Sequence, residues 1–181
     1  MRRIYLIGYM GAGKTTLGKE LAKHTGLSFI DLDYYIEERF HKTVRQIFEE
    51  QGETAFRELE RRMLHGVAMF EDVLISTGGG TPCFFDNMDY MNRTGVTVYL
   101  DVSVDELAKR LEPCKQTRPV LRGRSGDALR AFIRESLEQR EPCYRQARFV
   151  FDAGKLNNEQ DVRSAADALE RQITACMEPP V

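Results

Sequence analysis

The chain of 181 residues lacks several things that would have pointed elsewhere. No apolar run approaches the ~20 residues a membrane helix needs. The opening Met1-Arg2-Arg3-Ile4-Tyr5-Leu6-Ile7-Gly8 breaks too early for a signal-peptide core, so a cytoplasmic protein with no membrane partner is expected. There is no basic excess: 26 Lys and Arg stand against 28 Asp and Glu, net -2, which argues against a nucleic-acid binder that lives on phosphate contacts. The four cysteines, Cys83, Cys114, Cys143 and Cys176, form no C-x-x-C pair and read as reduced structural thiols. His24, His41 and His65 form no H-E-x-x-H-like cluster, which leaves them surface or helix-packing roles. No repeat or low-complexity stretch divides the chain, and 42% hydrophobic with 30% charged residues is ordinary globular composition. A single domain over 1–181 is expected, and a monomer, since no helix shows an obvious second apolar face.

What is present is an alternation of short β-branched or aromatic runs with longer helical patterns, the signature of βα units. The pattern predicts strands at Arg3–Ile7, Ser28–Asp31, Val73–Ser76, Val96–Leu100 and Phe149–Phe151. Helices are predicted at Lys14–Thr25, Val44–Glu50, Thr54–Phe70, Val104–Leu111, Asp127–Gln146 and Glu159–Cys176. Ser103, with Glu106 three residues on, reads as a capping box. Right-handed crossovers would then put helices on both faces of a five-stranded parallel sheet, a three-layer α/β fold. The stretch Pro113–Gly126 has Pro and Gly but no helical period, and carries Lys115, Arg118, Arg122 and Arg124; it reads as a mobile loop.

Chemistry enters with Gly8-Tyr9-Met10-Gly11-Ala12-Gly13-Lys14-Thr15, which satisfies G-x-x-x-x-G-K-[ST] between an apolar strand and a helix. Glycines there let successive backbone N–H groups converge on phosphate oxygens, and the helix N-terminus adds its positive dipole end. Lys14 is expected to bridge the β- and γ-phosphates of a nucleoside triphosphate, and Thr15 to offer its hydroxyl to Mg²⁺. No Walker-B Asp ends the third strand, because Val73–Thr77 runs straight into Gly78-Gly79-Gly80, so another acid must assist the metal. Asp31, at the end of the second strand, can hold a Mg²⁺-bound water. Asp33, two residues on, would face the same side in extended chain and reach an acceptor hydroxyl, or else merely cap a helix starting at Tyr34. Arg57 flanks the apolar stripe Phe56, Leu59 and Met63; it either reaches a cleft or pairs with Glu53 or Glu60. Three glycines at 78–80 permit close approach of backbone to ligand.

In order and spacing, residues 8–16, Asp31-Leu32-Asp33, Phe56-Arg57-x-x-Glu60, Gly78-Gly79-Gly80, Thr117-Arg118-Pro119 and Arg140 to Tyr144 resemble the shikimate kinase family, a branch of the nucleoside-monophosphate-kinase-like P-loop proteins. The resemblance spans nearly the whole chain. It implies a P-loop NTPase fold and transfer of the ATP γ-phosphoryl group to shikimate, giving shikimate 3-phosphate and ADP in aromatic amino acid biosynthesis. By that similarity Asp33, Arg57, Gly79 and Arg140 bind shikimate, the two arginines on its carboxylate. Gly11, Ala12, Gly13, Lys14, Thr15 and Thr16 cradle the nucleotide, Arg110 stacks near the adenine, and Arg118 is delivered by a lid at 113–126. Lys14, Asp33 and Arg118 are then the catalytic set. The family often has an Arg and an Asn-Pro pair after the last strand; here Asp152-Ala153-Gly154-Lys155-Leu156-Asn157-Asn158 leaves adenine to backbone groups. Two other readings stay open: another small-metabolite kinase of the same fold, such as a gluconate kinase, and a nucleotide-binding switch without turnover.

Overall fold

The computed structural model describes residues 2–114 and 119–177. Five strands, β1 (Arg3–Ile7), β2 (Ser28–Asp31), β3 (Val73–Ser76), β4 (Val96–Asp101) and β5 (Phe149–Asp152), form one parallel sheet in the order β2-β3-β1-β4-β5. Around it run α1 (Lys14–Thr25), α2 (Leu32–Phe40), α3 (Val44–Val67), α4 (Asn87–Thr94), α5 (Val104–Leu111), α6 (Gly126–Tyr144) and α7 (Glu159–Met177). The crossover from β1 to β2 travels one way along the sheet, and those from β2 to β3, β3 to β4 and β4 to β5 travel the other. Right-handed connections therefore put α1 on one face and the later crossovers on the opposite face, while α7 returns to pack on α1. The central strands are buried on both sides, which is why Ile4-Tyr5-Leu6-Ile7 and Val73-Leu74-Ile75 read as continuous apolar runs rather than alternating ones. Among the described residues, no helix is long and apolar enough to cross a membrane.

All five strands fall where the sequence predicts them, with β4 and β5 each one residue longer. Four local expectations change. The two helices predicted either side of residue 52 are one element, α3, kinked where Gly52 takes φ 81°, ψ 171°. Helix α4 was not anticipated, and α2, entertained only as a helix starting at Tyr34, begins at Leu32 directly from a strand. Ser103 accepts from the Glu106 N–H, but the Glu106 carboxylate is engaged by Arg110 at 2.9 Å, so only half of the expected capping box forms. The complete box is at Thr43 and Gln46, opening α3. In the stretch read as a mobile loop, short 3₁₀ turns occupy Glu112–Cys114 and Pro119–Leu121, and Leu121 is fully buried. The loop is thus anchored at its far end, where Arg124 also lies over the Phe132 ring at 4.2 Å. Lys115 and Arg118 lie outside the described residues. Cys83, Cys114 and Cys143 are free thiols, and His65 stacks on Tyr90, in keeping with a packing role.

Candidate active site

Open α/β sheets bind ligands beyond the carboxyl ends of their strands, and here that edge opens into a cleft of about 510 Å³ between the ends of β1, β2 and β3. The loop after β1 winds through positive φ at Gly8, Gly11 and Gly13 to reach α1. At Gly13 the requirement is double: φ is 95°, and a Cβ would stand 2.7 Å from Leu156 Cδ1. No acidic residue occupies the first turn of α1, so its N-terminal N–H groups and dipole are left for an anion. The Lys14 ammonium is buried and donates to the carbonyls of Gly8 (2.8 Å) and Tyr9 (2.9 Å), tying the strand end to the cradle.

Beside it, Thr15 Oγ1 donates to Asp31 Oδ2 at 2.7 Å, and Asp31 Oδ1 accepts from the Tyr34 N–H at 3.3 Å. Asp31, not Asp33, is therefore the N-cap of α2. The chain leaves β2 at Asp31 and turns at once into the helix, so the expected same-side placement in extended backbone does not apply. Asp33 reaches the cleft from the first helical turn instead, and both carboxylates line it. That pair of neutral and anionic oxygens at Thr15 and Asp31 suits Mg²⁺, a hard cation that takes oxygen ligands and keeps several waters.

Asp33 sits half-buried with its Oδ1 2.9 Å from the point a Cβ on Gly78 would occupy. Its pKa is pushed up to about 6: burial is the largest cause, the carboxylates of Glu60 and Asp31 add to it, and Lys14 opposes them. A carboxyl raised this far is chemically suited to accept a proton from a neighbouring hydroxyl.

Of the two placements the sequence left open for Arg57, the pairing forms, and Arg57 is not among the residues that line the cleft. It pairs with Glu60 at 2.8 Å and Glu53 at 3.5 Å, and its guanidinium lies 4.2 Å from the Phe84 ring centroid, pressed against Gly80, where a Cβ would come within 2.6 Å of it. Close approach, rather than turn geometry, is what demands glycine at 80. Arg140 flanks the same turn, 3.5 Å from a Cβ placed on Gly79, and lies over the Tyr9 ring at 5.6 Å. The Gly78–Gly80 turn thus collects one carboxylate and two guanidiniums from three separate helices. At the other end of the cleft Arg110 is held by Glu106 and donates to the carbonyls of Gly11 and Ala12 (both 3.4 Å) and of Ala153 (2.9 Å) and Gly154 (3.1 Å). It staples the phosphate loop to the segment after β5, whose Leu156 and Asn157 line the cleft with Thr16.

The shikimate kinase family model matches residues 10–170. The chain belongs to the shikimate kinase family. A shikimate kinase of Parabacteroides distasonis is 70% identical over 169 residues, 93% of this chain and 98% of that protein. The crystal structure of shikimate kinase from Bacteroides thetaiotaomicron superposes with a TM-score of 0.92 at 55% identity, covering 96% of this chain and 98% of that one. Shikimate kinase from Acinetobacter baumannii, solved in complex with shikimate, superposes at 0.86 with 30% identity, covering 99% and 96%.

Two elements of the site escaped sequence reasoning. Tyr144 donates from its buried hydroxyl to the Gly79 carbonyl at 2.5 Å, pinning that peptide, and Thr81 donates to the fully buried Glu60 at 2.5 Å. The Phe56-Arg57-x-x-Glu60 spacing signalled an arginine with an acid one turn away, but nothing local marks a threonine 21 residues later as its partner.

Proposed function

We propose that this chain transfers the γ-phosphoryl group of ATP to a hydroxyl of shikimate, releasing ADP and shikimate 3-phosphate. The observation that carries this reading is the convergence of Asp33, Arg57 and Arg140 on the Gly78–Gly80 turn, one strand away from a complete phosphate loop. A small carboxylate bearing several hydroxyls calls for planar guanidinium donors plus a hydroxyl-orienting carboxylate. Arg57 and Arg140 would take the carboxylate, Gly79 backbone would abut the ring, and Asp33 would orient the attacking hydroxyl. As the oxygen–phosphorus bond to the acceptor forms and that to ADP breaks, the hydroxyl proton passes to Asp33 or to solvent. Backbone N–H groups at Gly11–Thr16 and the Lys14 ammonium would hold the phosphates, while Arg110 would form the adenine end. Thr15 directly, and Asp31 through water, would hold Mg²⁺, which neutralises phosphate charge when bound. The chain would act as a single-domain, cytoplasmic monomer without nucleic-acid or membrane partners.

Coupled measurement of ADP release tests this directly. Turnover is expected to require shikimate and to ignore gluconate; stimulation by gluconate would point to a different metabolite kinase, and acceptor-independent ATP binding without turnover would point to a switch.

The lid at 113–126, bearing Arg118, belongs to the same proposal. The four cations its sequence carries would repel one another, ATP would supply the charge that favours closure, and closure would exclude water as a competing acceptor. Hydrogen exchange over 113–126 is expected to slow when a non-hydrolysable ATP analogue binds, and Arg118→Ala to lower kcat. No added protection together with an unimpaired kcat would remove the lid.

A further inference from the structure

Glu60 presents a physical problem that the fold solves with one residue outside the family motifs. Its carboxylate is 1% exposed. A buried carboxylate persists as an anion only when both oxygens are paired, because the cost of stripping its water is several kcal/mol. Oε2 accepts from Arg57 at 2.8 Å, and Oε1 accepts from the Thr81 hydroxyl at 2.5 Å. Thr81 is itself 0% exposed and is located independently of Glu60: its N–H donates to the Gly78 carbonyl at 3.2 Å, and its carbonyl accepts from the buried Asn87 side chain at 2.8 Å. The hydroxyl is therefore presented from a rigid turn.

Gly78 shows what that presentation governs. A Cβ there would lie 2.9 Å from Asp33 Oδ1, 3.0 Å from Glu60 Oε1 and 3.0 Å from Thr81 Oγ1. Three oxygens share one side of a single α-carbon, so the position of Glu60 sets both its pull on Arg57 and its repulsion of Asp33.

We propose that Thr81 is a positioning residue for the acceptor site: by occupying one oxygen of Glu60 it keeps the other on Arg57 and fixes the distance between Glu60 and Asp33. This rests on the reading of Arg57 and Asp33 as acceptor-binding groups. Without the hydroxyl, Oε1 is left unpaired in a dry pocket, and Glu60 relieves this by turning both oxygens toward Arg57 or by swinging Oε1 away from the Gly78 turn. Either response displaces or loosens the guanidinium. The elevated pKa of Asp33, to which Glu60 contributes, fits such close carboxylate spacing.

Two pairs of variants isolate the oxygen from the volume of the side chain: wild type against Thr81→Val, and Thr81→Ser against Thr81→Ala. Steady-state kinetics with each substrate varied in turn are the readout, with thermal melts alongside. In each pair, loss of the hydroxyl is expected to lower kcat/KM for shikimate about tenfold or more, chiefly through KM, while KM for ATP moves less than about twofold. Thr81→Ser is expected to stay within about threefold of wild type. The two pairs are independent, so either decides if a member of the other fails to fold. Equal losses for both substrates, Ser behaving as Ala, or an unchanged shikimate kcat/KM in Thr81→Val would overturn the proposal. Arg57→Ala serves as the control: it is expected to weaken shikimate and spare ATP. If it does and the Thr81 pairs do not, only the role of Thr81 falls; if it does not, the acceptor-site reading itself falls.

Discussion

Lys14→Ala is expected to cost roughly 10²–10³-fold in kcat while the protein keeps its fold. Phosphoryl transfer has little covalent chemistry for a protein to perform, so catalysis is positioning plus charge stabilisation, and a buried ammonium acts in a medium where each charge counts for more than in water. The stability side nearly balances. Deleting the side chain leaves the Gly8 and Tyr9 carbonyls short of a donor, at about 1–3 kcal/mol each when left dry, but it also removes a buried cation whose desolvation had to be offset. Water entering the vacated space can pair the carbonyls. Circular dichroism, a melting curve and turnover on the same preparation check this. Turnover near wild type would reject the phosphate-loop assignment, and an unfolded variant would show that the lysine is structural first.

Asp33→Asn is the second large effect, and it has opposite signs for activity and stability. The carboxyl has a pKa of about 6 in the fold against 3.8 ordinarily. The fold thus prefers its protonated form: that advantage is fully present below about pH 4, declines as pH rises, and is gone above about pH 6, where an anion must be kept in a site that disfavours it. The full shift corresponds to about 3 kcal/mol, and partial exposure to solvent reduces this to on the order of 1–2 kcal/mol. The asparagine variant should be more stable than wild type by that amount at pH 8 and by almost nothing at pH 4. Its kcat should fall about 10²–10⁴-fold, the range for losing a positioned general base, and the acid limb expected near pH 6 in the wild-type kcat/KM profile should be absent from the variant's. Urea unfolding at both pH values and a pH–rate profile supply the test. An unchanged kcat with a raised KM for shikimate would make Asp33 a binding group only. Stability held back for function is a common pattern at active sites, and here its cause is specific: Asp33 is buried near the carboxylates of Glu60 and Asp31, and the Lys14 ammonium only partly opposes them.

The sequence alone settled the features whose signals are short in range. The phosphate loop is eight consecutive residues with a geometry that backbone chemistry dictates, and the central strands β1 and β3 are runs whose apolar continuity follows from burial on both faces. Asp31, Arg57, the three glycines and Arg140 were each recognisable from their place in an ordered series of motifs. Tertiary structure decided how they meet. The order β2-β3-β1 slots β3 between the two strands carrying Asp31 and the phosphate loop, which is why the Gly78–Gly80 turn, and not a Walker-B acid, fills the space beside the cleft. That placement lets Arg57 pair with Glu60 and press against Gly80. It also brings Thr81 to a carboxylate 21 residues distant and the Tyr144 hydroxyl to a carbonyl 65 residues distant. Asp33 shows the same limit over two residues, for the sequence spacing assumed a strand that the Asp31 cap had already ended. Hydrophobic period and turn chemistry are local, whereas the partner of a buried charge is whichever polar group the finished packing leaves beside it.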